Sequence, residues 1–345
     1  MKKFISIALA LLMVCVMLPV VALAAEKTAS TYEELKSAIS TANDGDTIKL
    51  LADIDLSQTI TVNKTITLNM NGKKLYNTSD LWDKPTAEDD NWSLISVRGS
   101  GNLTITGNGT FAAKENDCYA VDVQESATVT IKNGTFIGNI HAVYVFAGTA
   151  NVEGGTYSVQ QKYPDSAKGD EFVLNCYDAN RANGTARINV TGGTFKNFNP
   201  ADNKAEGEGN NFADNSLVVQ KNNTVQNNDY YVGNAANEVI AAASKGEEIF
   251  VLNGTTLTNV PAGVIIQNRT SNAITVNGEA VDQTGDNGYV VPASYIVIVP
   301  GDTTPETPKT DDQKNPSTGA NDFVGLAAAA AVVALLGSAV VLRKK

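Results

Sequence analysis

The 345-residue chain carries one histidine, three cysteines and two tryptophans, and only 18% of its residues are charged. A single histidine, His141, excludes the multi-histidine metal sites and leaves no second imidazole for a relay. With no partner evident around it, His141 is expected to be structural rather than catalytic. No zinc-ligand spacing, phosphate-binding glycine loop or calcium-binding helix-loop motif occurs, so no cofactor or metal is expected. Cys15 lies in an apolar N-terminal run, which leaves only Cys118 and Cys176, too few for a disulfide framework. Asp and Glu outnumber Lys and Arg by 37 to 26, a net charge of -11. That balance excludes nucleic acid and other polyanions as partners and suits a solvated surface.

Both ends read as processing signals. Lys2-Lys3 precede an apolar run from Phe4 to Val21, then Ala22-Leu23-Ala24, the build of a secretory signal peptide over residues 1–25. Cleavage guided by Ala22 and Ala24 would start the mature chain near Ala25 or Glu26. Cys15 sits inside the apolar run rather than at a small-residue boundary, which excludes a lipoprotein. At the other end Asn315-Pro316-Ser317-Thr318-Gly319 is followed by an apolar run from Phe323 to Leu342 and by Arg343-Lys344-Lys345. An uncharged run of that length spans about 30 Å as a transmembrane helix, and the terminal cations would stay on the cytoplasmic side.

This order resembles the LPxTG-type sorting signal of Gram-positive surface proteins, with Asn315 where the commonest pattern has leucine. The resemblance implies a sortase whose cysteine attacks the Thr318–Gly319 bond and joins Thr318 to a peptidoglycan amine. It implies a secreted protein anchored to the cell wall that meets the membrane during sorting; a plain single-pass anchor is the alternative. Removing the processed ends takes away five basic residues and Asp322, leaving 21 Lys and Arg against 36 Asp and Glu.

The body repeats. Asn108-Gly109-Thr110-Phe111, Asn133-Gly134-Thr135-Phe136, Gly154-Gly155-Thr156-Tyr157 and Gly192-Gly193-Thr194-Phe195 each follow a short alternating strand. A second set of strands lies ahead: Leu94-Ile95-Ser96-Val97, Ala120-Val121-Asp122-Val123, Ala142-Val143-Tyr144-Val145 and Val173-Leu174-Asn175-Cys176. Strands with period two, separated by Gly or Asn corners, read as faces of a coil. Repeats of this length fit a right-handed parallel β-helix over 26–230, with apolar ladders inside. Cys118 and Cys176 then fall about two coils apart, beyond disulfide reach, and should be buried free thiols.

Ser30-Thr31-Tyr32-Glu33-Glu34 offers a capping-box start, and Leu35, Ala38, Ile39 and Ala42 form one apolar helix face to cap the first coil. This helix leading into Gly45-Asp46-Thr47-Ile48 resembles the start of pectate-lyase-like β-helix proteins and adhesins. A second copy appears where Val239–Ala243 runs into Lys245-Gly246-Glu247-Glu248, opening a small β-rich module over 231–299, with a truncated second solenoid as the alternative. A Pro/Thr-rich spacer over 300–314 leads to the sorting signal at 315–345.

The resemblance brings lyases and hydrolases into view, but neither the calcium-aspartate set of the lyases nor the aspartate cluster of the hydrolases is present. The insertions at 76–92, 158–170 and 196–215 all leave after the same face and should gather along one edge. They carry Trp82, Asp89, Asp90, Trp92, Tyr163, Asp165, Phe198 and Phe212, aromatics and acceptors of the kind that hold sugars. The expected role is therefore an adhesin or carbohydrate-binding display protein facing host or microbial glycans. The alternatives are a surface polysaccharide lyase or hydrolase and a non-binding stalk, in which the same aromatics only pin their loops.

Overall fold

Short strands whose alternate residues are apolar bury one face each, and here they stack in parallel register. The computed structural model describes residues 24–81, 93–114, 118–161, 171–202, 210–221 and 228–293. The chain runs through β1 (Glu26–Ala29) and α1 (Tyr32–Ser40), then turns through β2 (Thr47–Leu50), β3 (Ile54–Asp55) and β4 (Ile60–Val62). The next coil is β5 (Thr65–Asn69), β6 (Lys74–Tyr76) and β7 (Ser93–Val97), and the third is β8 (Asn102–Thr106), β9 (Thr110–Ala112) and β10 (Tyr119–Val123). Then come β11 (Thr128–Ile131), β12 (Thr135–Gly138) and β13 (Val143–Val145), followed by β14 (Gly148–Val152), β15 (Thr156–Val159) and β16 (Leu174–Cys176). After α2 (Asp178–Ala182) the last turn is β17 (Ala186–Val190) and β18 (Gly193–Lys196).

Successive strands go to three different sheets in rotation. The first sheet runs β1-β2-β5-β8-β11-β14-β17, the third runs β4-β7-β10-β13-β16, and β3-β6-β9-β12-β15-β18 form part of the second. The chain is thus mainly β, with long parallel sheets compatible with a β-helix or other solenoid.

Register fixes what each sheet turns inward. In the second sheet Leu75, Phe111, Phe136, Tyr157 and Phe195 are aligned partners, all fully buried. Their rings stack 4.8, 5.1 and 5.0 Å apart from Phe111 to Phe195, within the favourable aromatic range and close to the strand spacing. In the third sheet Val62, Val97, Val123, Val145 and Cys176 form a matching column. The corner glycines Gly134, Gly155 and Gly193 have φ of 116°, 101° and 119°, where a side chain would be strained, and a Cβ at any of them would meet the carbonyl of the coil before at 3.2 Å or less. The Gly-Thr-aromatic motif is therefore a backbone requirement followed by a core residue.

Both stack ends are closed. Thr31 caps α1 by accepting from the Glu34 N–H at 3.2 Å, while Glu34 reaches back to the Ser30 N–H at 2.7 Å. Leu35, Ala38, Ile39 and Ala42 are buried against the core, as the sequence pattern predicts. At the far end β19 (Val218–Lys221) and β20 (Asp229–Val232) reverse direction, and β20 pairs antiparallel with β18.

Residues 231–299, expected as a separate module, comprise α3 (Asn234–Ala241), β21 (Glu248–Asn253), β22 (Thr256–Leu257), β23 (Ile265–Asn268), β24 (Ile274–Val276), β25 (Glu279–Val281) and β26 (Tyr289–Val290), as far as they are described. Here β21, β23 and β26 continue the second sheet through β19, while β22, β24 and β25 form a small sheet of their own. Val218 belongs to the first apolar core and its neighbour Val219 to a second, so one strand serves both.

The internal copy recurs bond for bond. Asp46 accepts from the Asn43 N–H at 2.9 Å and Glu247 from the Ser244 N–H at 2.7 Å, beside Gly45 and Gly246 at φ of 93° and 85°. Cys118, just before β10, and Cys176 in β16 form no disulfide and are buried, with β13 between β10 and β16. The expected transmembrane helix lies outside the described residues; among those described, no helix is long and apolar enough to cross a membrane.

Removing one rung of the aromatic stack should be felt at once. Phe136→Ala is expected to lower unfolding free energy by about 3–5 kcal/mol, measured by urea denaturation, with a cooperative transition retained.

Candidate functional site

The columns of the third sheet that face away from its valines carry polar and aromatic side chains. Strand pairing aligns Thr61, Ser96, Asp122, Tyr144 and Asn175 across five coils. Two residues on, the same register brings Asn63, Arg98, Gln124, Phe146 and Tyr177 into line, where the N–H groups of Arg98, Gln124, Phe146 and Tyr177 each donate to the strand before. These positions lie on the face opposite the valine column, because side chains alternate along a strand.

Asp122 is the centre of the strip. It is 1% exposed and accepts from Ser96 Oγ at 3.0 Å and from Gln124 Nε2 at 2.9 and 3.0 Å. Arg98 Nε donates to Ser96 Oγ at 2.9 Å, so a cation, a hydroxyl and a carboxylate are connected across two adjacent strands. A buried carboxylate held this way is satisfied and fixed in direction.

Beside it lies an aromatic cluster. His141 is stacked on Tyr144 at 5.3 Å, tilted against Tyr119 at 4.9 Å and edge-on to Phe172 at 6.1 Å. Its Nδ1 is 2.8 Å from the Phe172 carbonyl, which can only accept, so Nδ1 bears the proton. Nε2 then accepts from Asn175 Nδ2 at 3.2 Å. Desolvation pulls the imidazole from 6.5 down to about 4, against smaller opposing effects from the Phe172 and Ile140 carbonyls. Burial thus favours the neutral imidazole near pH 7, packed between the rings of Tyr119, Tyr144 and Phe172.

At the open end of the strip Phe146 and Tyr177 are 40% and 44% exposed, with rings 4.9 Å apart and 26° from parallel. They are two of only four large hydrophobic residues this exposed among the described residues. At the opposite end Thr61 and Asn63 line a cleft of about 400 Å³ shared with Tyr32 and Lys36 of α1.

The strip was not anticipated from the sequence, although its signal is there. The third residue of each aligned tetrad is Ser96, Asp122, Tyr144 or Asn175, a polar or amphipathic position inside otherwise apolar strands. The loop residues Trp82, Asp89, Asp90, Trp92, Tyr163 and Asp165 lie outside the described residues, as does Ala22; Ala24 is described and exposed. The insertions follow the C-terminal ends of β6, β15 and β18, all in the second sheet, where β15 and β18 are adjacent and β9 and β12 separate β6 from β15.

Phe198 and Phe212 require a correction. They are 0% and 7% exposed and stack at 6.1 Å, with Phe198 6.2 Å from Phe195, so they extend the internal aromatic ladder instead of facing a ligand. Burial of two large rings over the last coil outweighs any use on the surface.

Among the described residues no group of three or more His, Cys, Asp or Glu side chains is placed to hold a metal ion. The column holds one carboxylate, whereas glycoside hydrolysis by the usual route takes a flanking pair. Compared with known proteins, the chain matches no family model, no curated protein and no solved structure. What the strip does must therefore be argued from its own groups: a fixed acceptor, a guanidinium, amides and two exposed rings.

His141 gives a pH signature. Between about pH 6.5 and 4 the unfolded chain binds a proton that the folded imidazole refuses, so stability falls as pH drops through that window. The loss attributable to His141 should approach about 3 kcal/mol. Urea midpoints at pH 7 and 4.5 should differ less for His141→Phe than for the unaltered protein, since the variant lacks this contribution.

Proposed function

We propose that the protein is a secreted, cell-wall-anchored display protein whose right-handed parallel β-helix presents a carbohydrate-binding strip along the outer face of its third sheet. The observation that carries the binding half is the exposed Phe146–Tyr177 pair continuing directly from the polar column of Thr61, Ser96, Asp122, Tyr144 and Asn175. Sugar rings stack their CH faces on aromatic rings, and their hydroxyls donate to carboxylates and accept from guanidinium and amide groups. Both kinds of group lie side by side, the polar column on the strands and the two rings in the short turns that follow β13 and β16. Ser96 and Asp122 are buried within the column, so a ligand on this face meets the half-buried Tyr144 and Asn175 beside the exposed Phe146 and Tyr177, contacts repeated from strand to strand at about 4.8 Å, which favours an extended glycan over a single sugar.

The anchoring half rests on the order of signals at the two chain ends, with sortase and peptidoglycan as partners and Asn315, Pro316, Ser317, Thr318 and Gly319 as the recognised motif. One contact supports cleavage after Ala24. The Ala25 nitrogen lies 2.8 Å from Asp46 Oδ1, and this bond and that from Asn43 hold the buried Asp46 carboxyl below the usual range. Cleavage there would replace a neutral amide by an ammonium already opposite a carboxylate.

Mass spectrometry of the protein from the cell surface should find Ala25 as the first residue and Thr318 joined to a wall peptide. A chain that keeps residues 1–24 or continues past Thr318 would count against the reading. A glycan-array screen should show binding by the intact protein that Phe146→Ala/Tyr177→Ala removes without moving the thermal transition. Release of reducing or unsaturated ends from the arrayed polysaccharides would instead mark an enzyme.

A further inference from the structure

We infer that Asp46 is a receptor for the protein's own α-ammonium group at Ala25, so that removal of the leader completes the first coil with an ion pair. The inference rests on the cleavage reading above and adds what the new terminus does to the fold.

Asp46 stands at the corner that opens β2 and is 1% exposed. Each of its oxygens takes one backbone donor: Oδ1 accepts from the Ala25 N–H at 2.8 Å and Oδ2 from the Asn43 N–H at 2.9 Å. It has no ion pair among the described residues. The lysines on the elements around it, Lys27 in β1 and Lys64 before β5, are engaged elsewhere. Lys27 Nζ donates to Thr41 Oγ1 at 3.3 Å, and Lys64 Nζ donates to the Ser40 and Ala42 carbonyls at 2.7 and 2.6 Å. Of the acids on the same elements, Asp44 accepts from the Thr65 N–H at 3.0 Å and Glu26 is exposed. A buried carboxylate without an ionic partner is costly.

The internal copy shows what such a corner takes. Glu247, which stands where Asp46 does, accepts from the Ser244 N–H and also lies 2.9 Å from Lys221 Nζ. Lys221 belongs to β19, the strand beside β21, just as Ala25 leads into β1, the strand beside β2. In one copy an ammonium from the neighbouring strand meets the corner acid; in the other the backbone nitrogen of Ala25 does.

That nitrogen is already in position, because the Ala25 carbonyl accepts from the Thr47 N–H at 2.8 Å and fixes the residue from its other side. Ala24 and Ala25 are exposed while the acceptor is buried. Hydrolysis of the bond between them by a signal peptidase adds water across it, leaving a carboxylate on Ala24 and an ammonium on Ala25. The contact to Asp46 then becomes charge-assisted, about twice as strong as its neutral form. Any residue or acyl group kept ahead of Ala25 leaves the nitrogen neutral.

The test compares full-length chains in mild detergent that begin at Met1, at Ala25, and at Ala25 with its α-nitrogen acetylated. At pH 6.5 the free Ala25 chain should melt about 2–4 °C above the other two. An ion pair lifts the folded α-amino pKa above its ordinary value of about 8, so the advantage should be full below that value and fade as pH rises through the folded pKa. Asp46→Asn should abolish it. NMR titration of the isotope-labelled Ala25 amine reads the same pKa directly and decides the matter if Asp46→Asn does not fold. Equal transitions for the free and acetylated chains, an advantage that persists in Asp46→Asn, or an amine that titrates at its ordinary value would each overturn the assignment. A native N-terminus other than Ala25, read by mass spectrometry, would count instead against the cleavage reading.

Discussion

Everything in this protein depends on parallel register between coils of unequal length. Each strand passes its alignment to the next through evenly spaced backbone hydrogen bonds, and a slip of one residue would turn every inward side chain to solvent. Irregularity is therefore confined to the corners. The insertions before β7 and β16 change the length of a coil without changing the pairing of Val97 with Val123 or Val145 with Cys176. Because the core is thus insulated from the loops, the outer surface is free to vary, and one outer face has become polar and aromatic while the inner face stays apolar.

Much of this was legible in the residues. The period of two, the corner glycines and the recurring aromatic after Gly-Thr are local signals, and they led directly to the buried column Phe111, Phe136, Tyr157 and Phe195. The capping helix was equally plain, since Thr31, Glu34 and the spacing of Leu35, Ala38 and Ile39 all belong to one short segment. The outer strip was harder. It exists only when residues 61, 96, 122, 144 and 175 are brought together, and the intervals between them are uneven because the insertions are. Nothing local distinguishes Asp122 from any other polar residue in a strand.

Phe198 and Phe212 illustrate the opposite failure. An aromatic residue in a long connection suits a ligand and an apolar core equally well, and composition does not separate the two. What decides is the end of the stack: the final coil exposes Phe195, and the nearest rings cover it. The reversal at β19 and β20 was hidden for a related reason, since an antiparallel strand that ends a parallel series breaks the period that reveals the series.

That reversal has a mechanical side. Val218 and Val219 are consecutive in β19 yet fill different cores, and β19 pairs with β20 and β21 alike. The last strands are therefore not an independent bead, because β21 pairs with a strand already committed to the first core. Tension that reaches β21 would pass sideways through β19 into the stack, along one continuous sheet.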